Sequence, residues 1–320
     1  MHRVRSRGKE INWRRVAQAL APVFVLLLIC AALSLLTPRF LTEKNLINVV
    51  RQSSLNGIVA AGVTLVILTG GIDLSVGSLL AVTSVFAAGA LQDGNAPLTA
   101  MAVGVLIGLG FGLLNGLIVT IGDVAPFIVT LGTMKIYRSV TMYYMQSLRG
   151  LSLPEEFKQI ARFTIGDTML LPILYWFALA AVLHIVSRRT VFGRHVYAIG
   201  SNERTARLSG IPVDRVKRRV YVLMGVIVAI AAIIQIARIG DMDYTSAGSG
   251  YEMNAIAAVI IGGTAMSGGR GSIMGTLLGT LILAMVSNLL TLIGVATLLR
   301  EAFIGFIVVA AVLMQRKEKE

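Results

Sequence analysis

RRTVFGRHVYAIGSNERTARLSGIPVDRVKRR, residues Arg188–Arg219, is the longest clearly polar segment between the two ends of the chain. Nine of its residues are Lys or Arg, against two acids, Glu203 and Asp214. Long apolar runs flank it on both sides. The chain of 320 residues is 56% hydrophobic and only 14% charged, with a mean hydropathy of +0.79. A soluble domain carries roughly a quarter charged residues. Runs of about 20 apolar residues are long enough to cross the hydrocarbon core as helices. The sequence therefore reads as all-α, a polytopic membrane helix bundle forming one unit.

Outward from the polar segment, about ten transmembrane helices are expected, near 16–36, 54–71, 73–91, 98–121, 124–145, 169–187, 220–239, 253–267, 272–293 and 296–314. Six precede the segment and four follow it, so both termini share its face. All three are basic: of 29 Lys and Arg, six lie before Val16, nine in 188–219 and three after Met314. Basic residues gathered in short loops mark the cytoplasmic side. The expected organisation is a basic cytoplasmic N-terminus (1–15), a single transmembrane domain (16–314) with a cytoplasmic loop at 188–219, and a cytoplasmic tail (315–320). Arg39, Lys44 and Arg51 run against the rule, because they fall in the outward segment 38–53. The net charge of +13 follows orientation and not nucleic acid, since no basic stripe is interleaved with aromatics. One cysteine, Cys30, excludes an internal disulfide framework and a cysteine-rich metal site.

Two glycine-rich breaks interrupt the apolar runs. Thr69–Ser78 reads TGGIDLSVGS, and Asp73 sits where Ser75 or backbone amides can meet its carboxylate. Ionisable groups at membrane depth are costly and mark functional sites; broken helices line binding cavities. A second, compatible reading has Asp73 cap the following helix. Thr69, Asp73, Ser75, Asn115 and Asn254 are the candidate translocation-path residues. The other break, GGTAMSGGRGSIMG at 262–275, lacks the G-x-x-x-x-G-K-[ST] phosphate cradle and reads as a tight turn. Gly104, Gly108, Gly112 and Gly116, and later Gly271, Gly275 and Gly279, recur every four residues. Such faces pack membrane helices closely; the competing reading is a surface that slides during transport. His184, without a partner at ligand spacing, reads as a satisfied structural histidine. No catalytic constellation appears, neither H-E-x-x-H nor G-x-S-x-G. The chain is expected to be a passage without its own motor.

Three stretches carry a resemblance: TLVILTGGIDLSVGSLLA (64–81), YAIGSNERTARLSGI (197–211) and YEMNAIAAVIIGGTAMSGGRGSIMGTLLG (251–279). They resemble the permease subunits of bacterial monosaccharide ABC importers, most closely the ribose type. The resemblance implies an inner-membrane permease with an architecture similar to vitamin B12-type importers. It also implies a second permease copy or close paralogue, and an extracytoplasmic sugar-binding protein that delivers the substrate. A cytoplasmic ATPase would use ATP and Mg, this chain binding no cofactor, and membrane lipid completes the set of partners. The implied ATPase-docking residues are Asn202, Glu203, Arg204, Thr205, Ala206, Arg207, Leu208, Ser209 and Gly210. Many importers read Glu-Ala-Ala here, with Gly some residues on; in this chain Glu203 precedes Arg204 and Thr205, and Gly210 is displaced by one position.

The residues themselves also predict a short helix there. Glu203–Leu208 holds no breaker, Ser201 or Asn202 can serve as N-cap, Gly210 as stop, and Pro212 forbids continuation. The rival reading is a basic segment lying on anionic lipid. The expected function is passage of a monosaccharide, a pentose or similar sugar, into the cytoplasm by alternating access. Alternatives are an ion-coupled secondary carrier, a furanose-like signalling molecule or sugar alcohol as substrate, and a membrane-embedded enzyme, for which the sequence offers no nucleophile or metal cluster.

Overall fold

The computed structural model describes residues 23–309 except 25, 29, 32, 33, 36, 147, 149–152, 163, 166, 167, 241–245, 297, 298, 301 and 308. The tails 1–15 and 315–320 and much of the expected spans 16–36 and 296–314 lie outside the described residues. The helices are α1 (Glu43–Leu68), α2 (Val76–Gln92), α3 (Pro97–Ile121), α4 (Pro126–Met145), α5 (Glu155–Arg162), α6 (Leu171–Arg189), α7 (Val191–Ser201), α8 (Glu203–Leu208), α9 (Val213–Ile239), α10 (Tyr251–Ile261) and α11 (Ile273–Leu292). The molecule is an all-α bundle apart from a hairpin of two-residue strands, β1 (Thr164–Ile165) and β2 (Thr168–Met169), paired Thr164↔Met169 and Ile165↔Thr168. Five described helices, α1, α3, α6, α9 and α11, are long and apolar enough to cross a membrane. α2 and α10 are shorter apolar helices.

Proline opens α3 and α4, where its missing N–H costs nothing and its fixed φ suits the first turn. α1 ends because Gly70 takes φ +81°, a conformation that costs a residue with a Cβ about 1–2 kcal/mol. α1, α2 and α9 form the interior, with α9 packed on α1, α2 and α3. α3, α4 and α6 turn Leu106, Ile128, Ile136, Leu174 and Ile185 outward. Apolar side chains on both faces suit a bundle solvated by lipid, where helix association rests on close packing.

The glycine faces are packing seams. Gly104, Gly108, Gly112 and Gly116 are buried against α9. At the tightest point a Cβ on Gly108 would lie 2.5 Å from the Gly225 carbonyl oxygen and 2.7 Å from the Ala229 Cβ. Gly275 and Gly279 pack on Gly262 and Ala258 of α10, but Gly271 precedes α11 and packs on Thr264 instead.

Several expectations need correction. α1 begins at Glu43 and not near residue 54, so Lys44 and Arg51 are helical; the Arg51 guanidinium donates to Asn48 Oδ1 at 2.8 Å. α9 begins at Val213 and α10 ends at Ile261. Residues 188–219 are not a loop: α7, α8 and the first turns of α9 occupy most of them. Val196 and Ile199 face inward there, an apolar stripe that the surrounding charges mask. α5 was not expected. Phe157 and Ala161 bury its inner face, and Arg162 donates to the Arg238 and Ile239 carbonyls at 3.2 and 3.1 Å, satisfying the end of α9. His184 Nδ1 is buried without a hydrogen-bond partner, so that histidine is not fully satisfied.

Candidate functional site

At one end of the bundle α8 stands clear of the surface. The Asn202 side chain accepts a hydrogen bond from the Thr205 amide at 2.8 Å, capping the helix. Its far end closes through Gly210 N–H to the Arg207 carbonyl and Ile211 N–H to the Ala206 carbonyl, both at 3.1 Å. Gly210 supplies the positive φ of +79° that this closure needs. A charged clasp fixes α8 to α9: Arg207 grips Asp214 at 2.9 and 3.1 Å and Glu203 at 3.3 Å, while Lys217 reaches Glu203 at 2.7 Å. The Asp214 and Glu203 carboxylates push the Arg207 guanidinium above its ordinary pKa. Ala206 is buried, whereas Leu208 is 82% exposed.

Behind α8, three backbones meet. A Cβ on Gly200, at the end of α7, would collide with the Leu68 carbonyl oxygen and the Gly269 amide. Gly269 N–H donates to that same Leu68 carbonyl at 3.0 Å. The last turn of α7 therefore abuts both glycine-rich breaks at once. A cavity of about 290 Å³ opens beside this junction, lined by Thr69, Gly70, Glu203, Lys217, Tyr221 and Ser267 among others. The Tyr221 hydroxyl is buried next to Gly71 with no hydrogen-bond partner.

The break between α1 and α2 is held by a chain of polar side chains. Asp73 Oδ1 accepts from the Ser75 hydroxyl at 2.6 Å and the Ser75 amide at 2.9 Å. Asn115 of α3 donates to Ser75 Oγ at 2.8 Å, and Tyr137 of α4 donates to Asn115 Oδ1 at 2.8 Å. All four side chains are buried. Buried polar groups of this kind rigidify a core when each finds a partner. Thr130 of α4 adds a bond to the Ile72 carbonyl at 3.2 Å, and Arg138 ties α4 to the Ala247 carbonyl at 2.8 Å.

A second cavity, of about 230 Å³, lies between α1, α10 and α11. From Leu68 back to Asn56, which lines it, α1 rises about 18 Å, so it belongs to the half of the bundle away from α8. Gln52, Asn56, Asn254, Ser287 and Asn288 contribute polar groups and Tyr251 a ring. Asn288 and Asn45 exchange amide hydrogen bonds at 2.9 and 3.0 Å between α11 and the head of α1. Among the described residues no cluster of three or more His, Cys, Asp or Glu could hold a metal ion.

The structure thus brings Asp73, Ser75 and Asn115 together, places Thr69 at the cavity behind α8, and sets Asn254 apart in the second cavity. Sequence reasoning missed Gln52, Ser53, Asn56 and Ser287. The signal was there: polar residues at 52, 53 and 56 on α1, and at 280, 287 and 288 on α11, recur at helical spacing in otherwise apolar helices.

The chain matches the family model for the branched-chain amino acid transport system / permease component over residues 45–312. It is 40% identical over 313 residues to the ribose import permease protein RbsC of Bacillus subtilis (strain 168), covering 97% of this chain and 96% of that protein. It is 42% identical over 304 residues to the ribose import permease protein RbsC of Escherichia coli (strain K12), 93% of each chain. The D-allose transport system permease protein AlsC of Escherichia coli (strain K12) is 34% identical over 314 residues, 97% of this chain and 95% of that one. No solved structure gives a significant match.

Proposed function

Because the chain belongs to the branched-chain amino acid transport system / permease component family, and within it to the ribose-type sugar permeases, we propose that it carries a pentose such as ribose into the cytoplasm under ATP power. It is a multi-pass inner-membrane transport subunit of a sugar ABC importer. Pentose rather than hexose is the finer point: two relatives named for ribose are more similar to it than one named for D-allose. A cytoplasmic ATPase supplies ATP and Mg chemistry, an external sugar-binding protein delivers the substrate, and a second permease copy or paralogue completes the pair. Both termini and α8 face the cytoplasm.

The observation that carries the coupling role is the form of α8. It is a capped helix of six residues, Glu203–Leu208, clasped to α9 and presenting a large apolar side chain, Leu208, to solvent. A helix already capped and clasped, with Leu208 bordered by Arg204, Thr205 and Ser209, offers a partner a pre-ordered surface whose ordering entropy is largely spent. When the partner ATPases close on ATP, α8 moves with them, and Gly200 passes that movement to Leu68 and Gly269. Asp73, Ser75 and Asn115 keep the adjoining break rigid enough to move as a piece, and Thr69 lines the space that opens.

Co-expression with the cognate ATPase tests this. Leu208→Glu, at an exposed position, should leave the permease folded yet abolish ATPase co-purification and sugar uptake. An intact complex with normal uptake would remove α8 from the coupling role. Uptake by proteoliposomes holding this chain alone, driven by an ion gradient, would overturn the ATP-driven reading itself.

A further inference from the structure

We infer that the cavity between α1, α10 and α11 is a sugar-binding station inside the permease, which takes one neutral monosaccharide through amide contacts. The inference rests on the sugar-importer reading and adds a site to it.

The lining chemistry selects the ligand. An amide side chain offers two donors and an acceptor oxygen with two lone pairs, so Gln52, Asn56 and Asn254 can meet hydroxyl groups that both give and take hydrogen bonds. Among the described residues no Asp, Glu, Lys or Arg lines the cavity, which favours an uncharged ligand. Its volume of about 230 Å³ falls below the roughly 300–1,000 Å³ of pockets for drug-sized molecules, the scale of one small sugar. The Tyr251 ring and Leu283 supply the apolar surface that the C–H faces of a sugar need.

One amide is also unspent. Asn56 Oδ1 is buried with no hydrogen-bond partner. The Gln52 amide beside it is exposed and the Asn254 amide half-buried, so both can turn to a ligand in the cavity. Buried polar atoms in folded proteins are paired in about nine cases of ten, and orphaning one costs about 1–3 kcal/mol. That one orphaned oxygen of Asn56, with the Gln52 and Asn254 amides grouped around the same space, is a group held for something that enters it. Asn45 and Asn288 show the contrast: their reciprocal pair is satisfied, and it bridges α1 and α11 on the outward side of the cavity.

The test uses the complete importer, permease with ATPase and binding protein, in proteoliposomes with D-ribose as probe. Asn56→Ala and Asn254→Ala should each cut uptake about tenfold, the factor that corresponds to roughly 1.4 kcal/mol of lost contact. Assembly with the ATPase should be unchanged, and Asn254→Gln should restore part of the loss. A second readout does not depend on those variants folding: in a Cys30→Ala background, Ser287→Cys should react with a small hydrophilic thiol reagent, and D-ribose should slow the reaction during turnover. Undiminished uptake in both alanine variants, or labelling indifferent to ribose because the cavity holds only water, overturns the inference while ATP-driven transport by the unaltered importer stands. An unaltered importer that moves neither D-ribose nor D-allose on ATP would instead overturn the parent reading, and the station with it.

Discussion

Replacing Gly108 by alanine plants a methyl group 2.5 Å from the Gly225 carbonyl oxygen and 2.7 Å from the Ala229 Cβ. Atoms of this kind rest about 3.5–4.0 Å apart, so α3 and α9 must part by about 1 Å at the crossing. Neither obstacle can rotate away, one being backbone and the other a Cβ. A gap of 0.5–1 Å forfeits roughly a quarter to a half of each dispersion contact along the seam, and overpacking of this sort costs about 1–3 kcal/mol. Gly110 is the control on the same helix: a methyl group there would meet nothing within 4 Å, and alanine is favoured over glycine in a helix interior by about 1 kcal/mol. Denaturant titration in mixed micelles, followed by emission from the buried Trp176, reads both. Gly108→Ala should lower the unfolding free energy by about 1–3 kcal/mol, and Gly110→Ala should hold or raise it. If the two variants unfold together, α3 does not press on α9 at this point. The packing account of the glycine face then fails, and the sliding-surface reading returns.

Three further outcomes follow from named contacts. Asn202→Ala removes the cap of α8, worth about 1 kcal/mol, and amides of 203–208 should exchange about fivefold faster with the rest of the protein unaltered; unchanged exchange would mean that the clasp alone holds the helix. Asn115→Ala cuts the bridge between Ser75 and Tyr137, and should cost about 1–3 kcal/mol for the buried groups it orphans; a micelle titration indistinguishable from the unaltered protein would refute the bridging role. Gly200→Ala drives a methyl group against the Leu68 carbonyl, and in the assembled importer should lower sugar moved per ATP hydrolysed; a normal ratio would exclude this junction from the coupling route.

Much of the fold was legible because glycine and proline punctuate it. Asn202, Gly210 and Pro212 bounded α8 to the residue, since capping and stopping are local chemistry. The apolar runs located α3, α4, α6 and α11 for the same reason. The head of α1 was misread because Lys44, Arg51 and Gln52 look like loop residues, when Gln52 in fact lines a cavity that other helices complete. α7 was hidden in its basic surroundings, although Val196 and Ile199 point inward. The division of the path residues was out of reach of the sequence. Asp73, Ser75 and Asn115 chain to Tyr137, while Asn254 lines one cavity with Asn56 and Ser287 from three helices, and only tertiary packing decides such neighbours.

The meeting of Gly200, Leu68 and Gly269 has a consequence for how this chain can change. A joint made from main-chain atoms contains no side-chain vocabulary, so it constrains its three positions and leaves the neighbouring surface free. On the proposed coupling role, the residues of α8 can be rewritten to suit a different partner while the joint behind them is kept. Glu203-Arg204-Thr205 in place of Glu-Ala-Ala is a variation that such a joint tolerates. Under that proposal, compatibility with an ATPase lies in one exposed turn, and transmission in bare backbone.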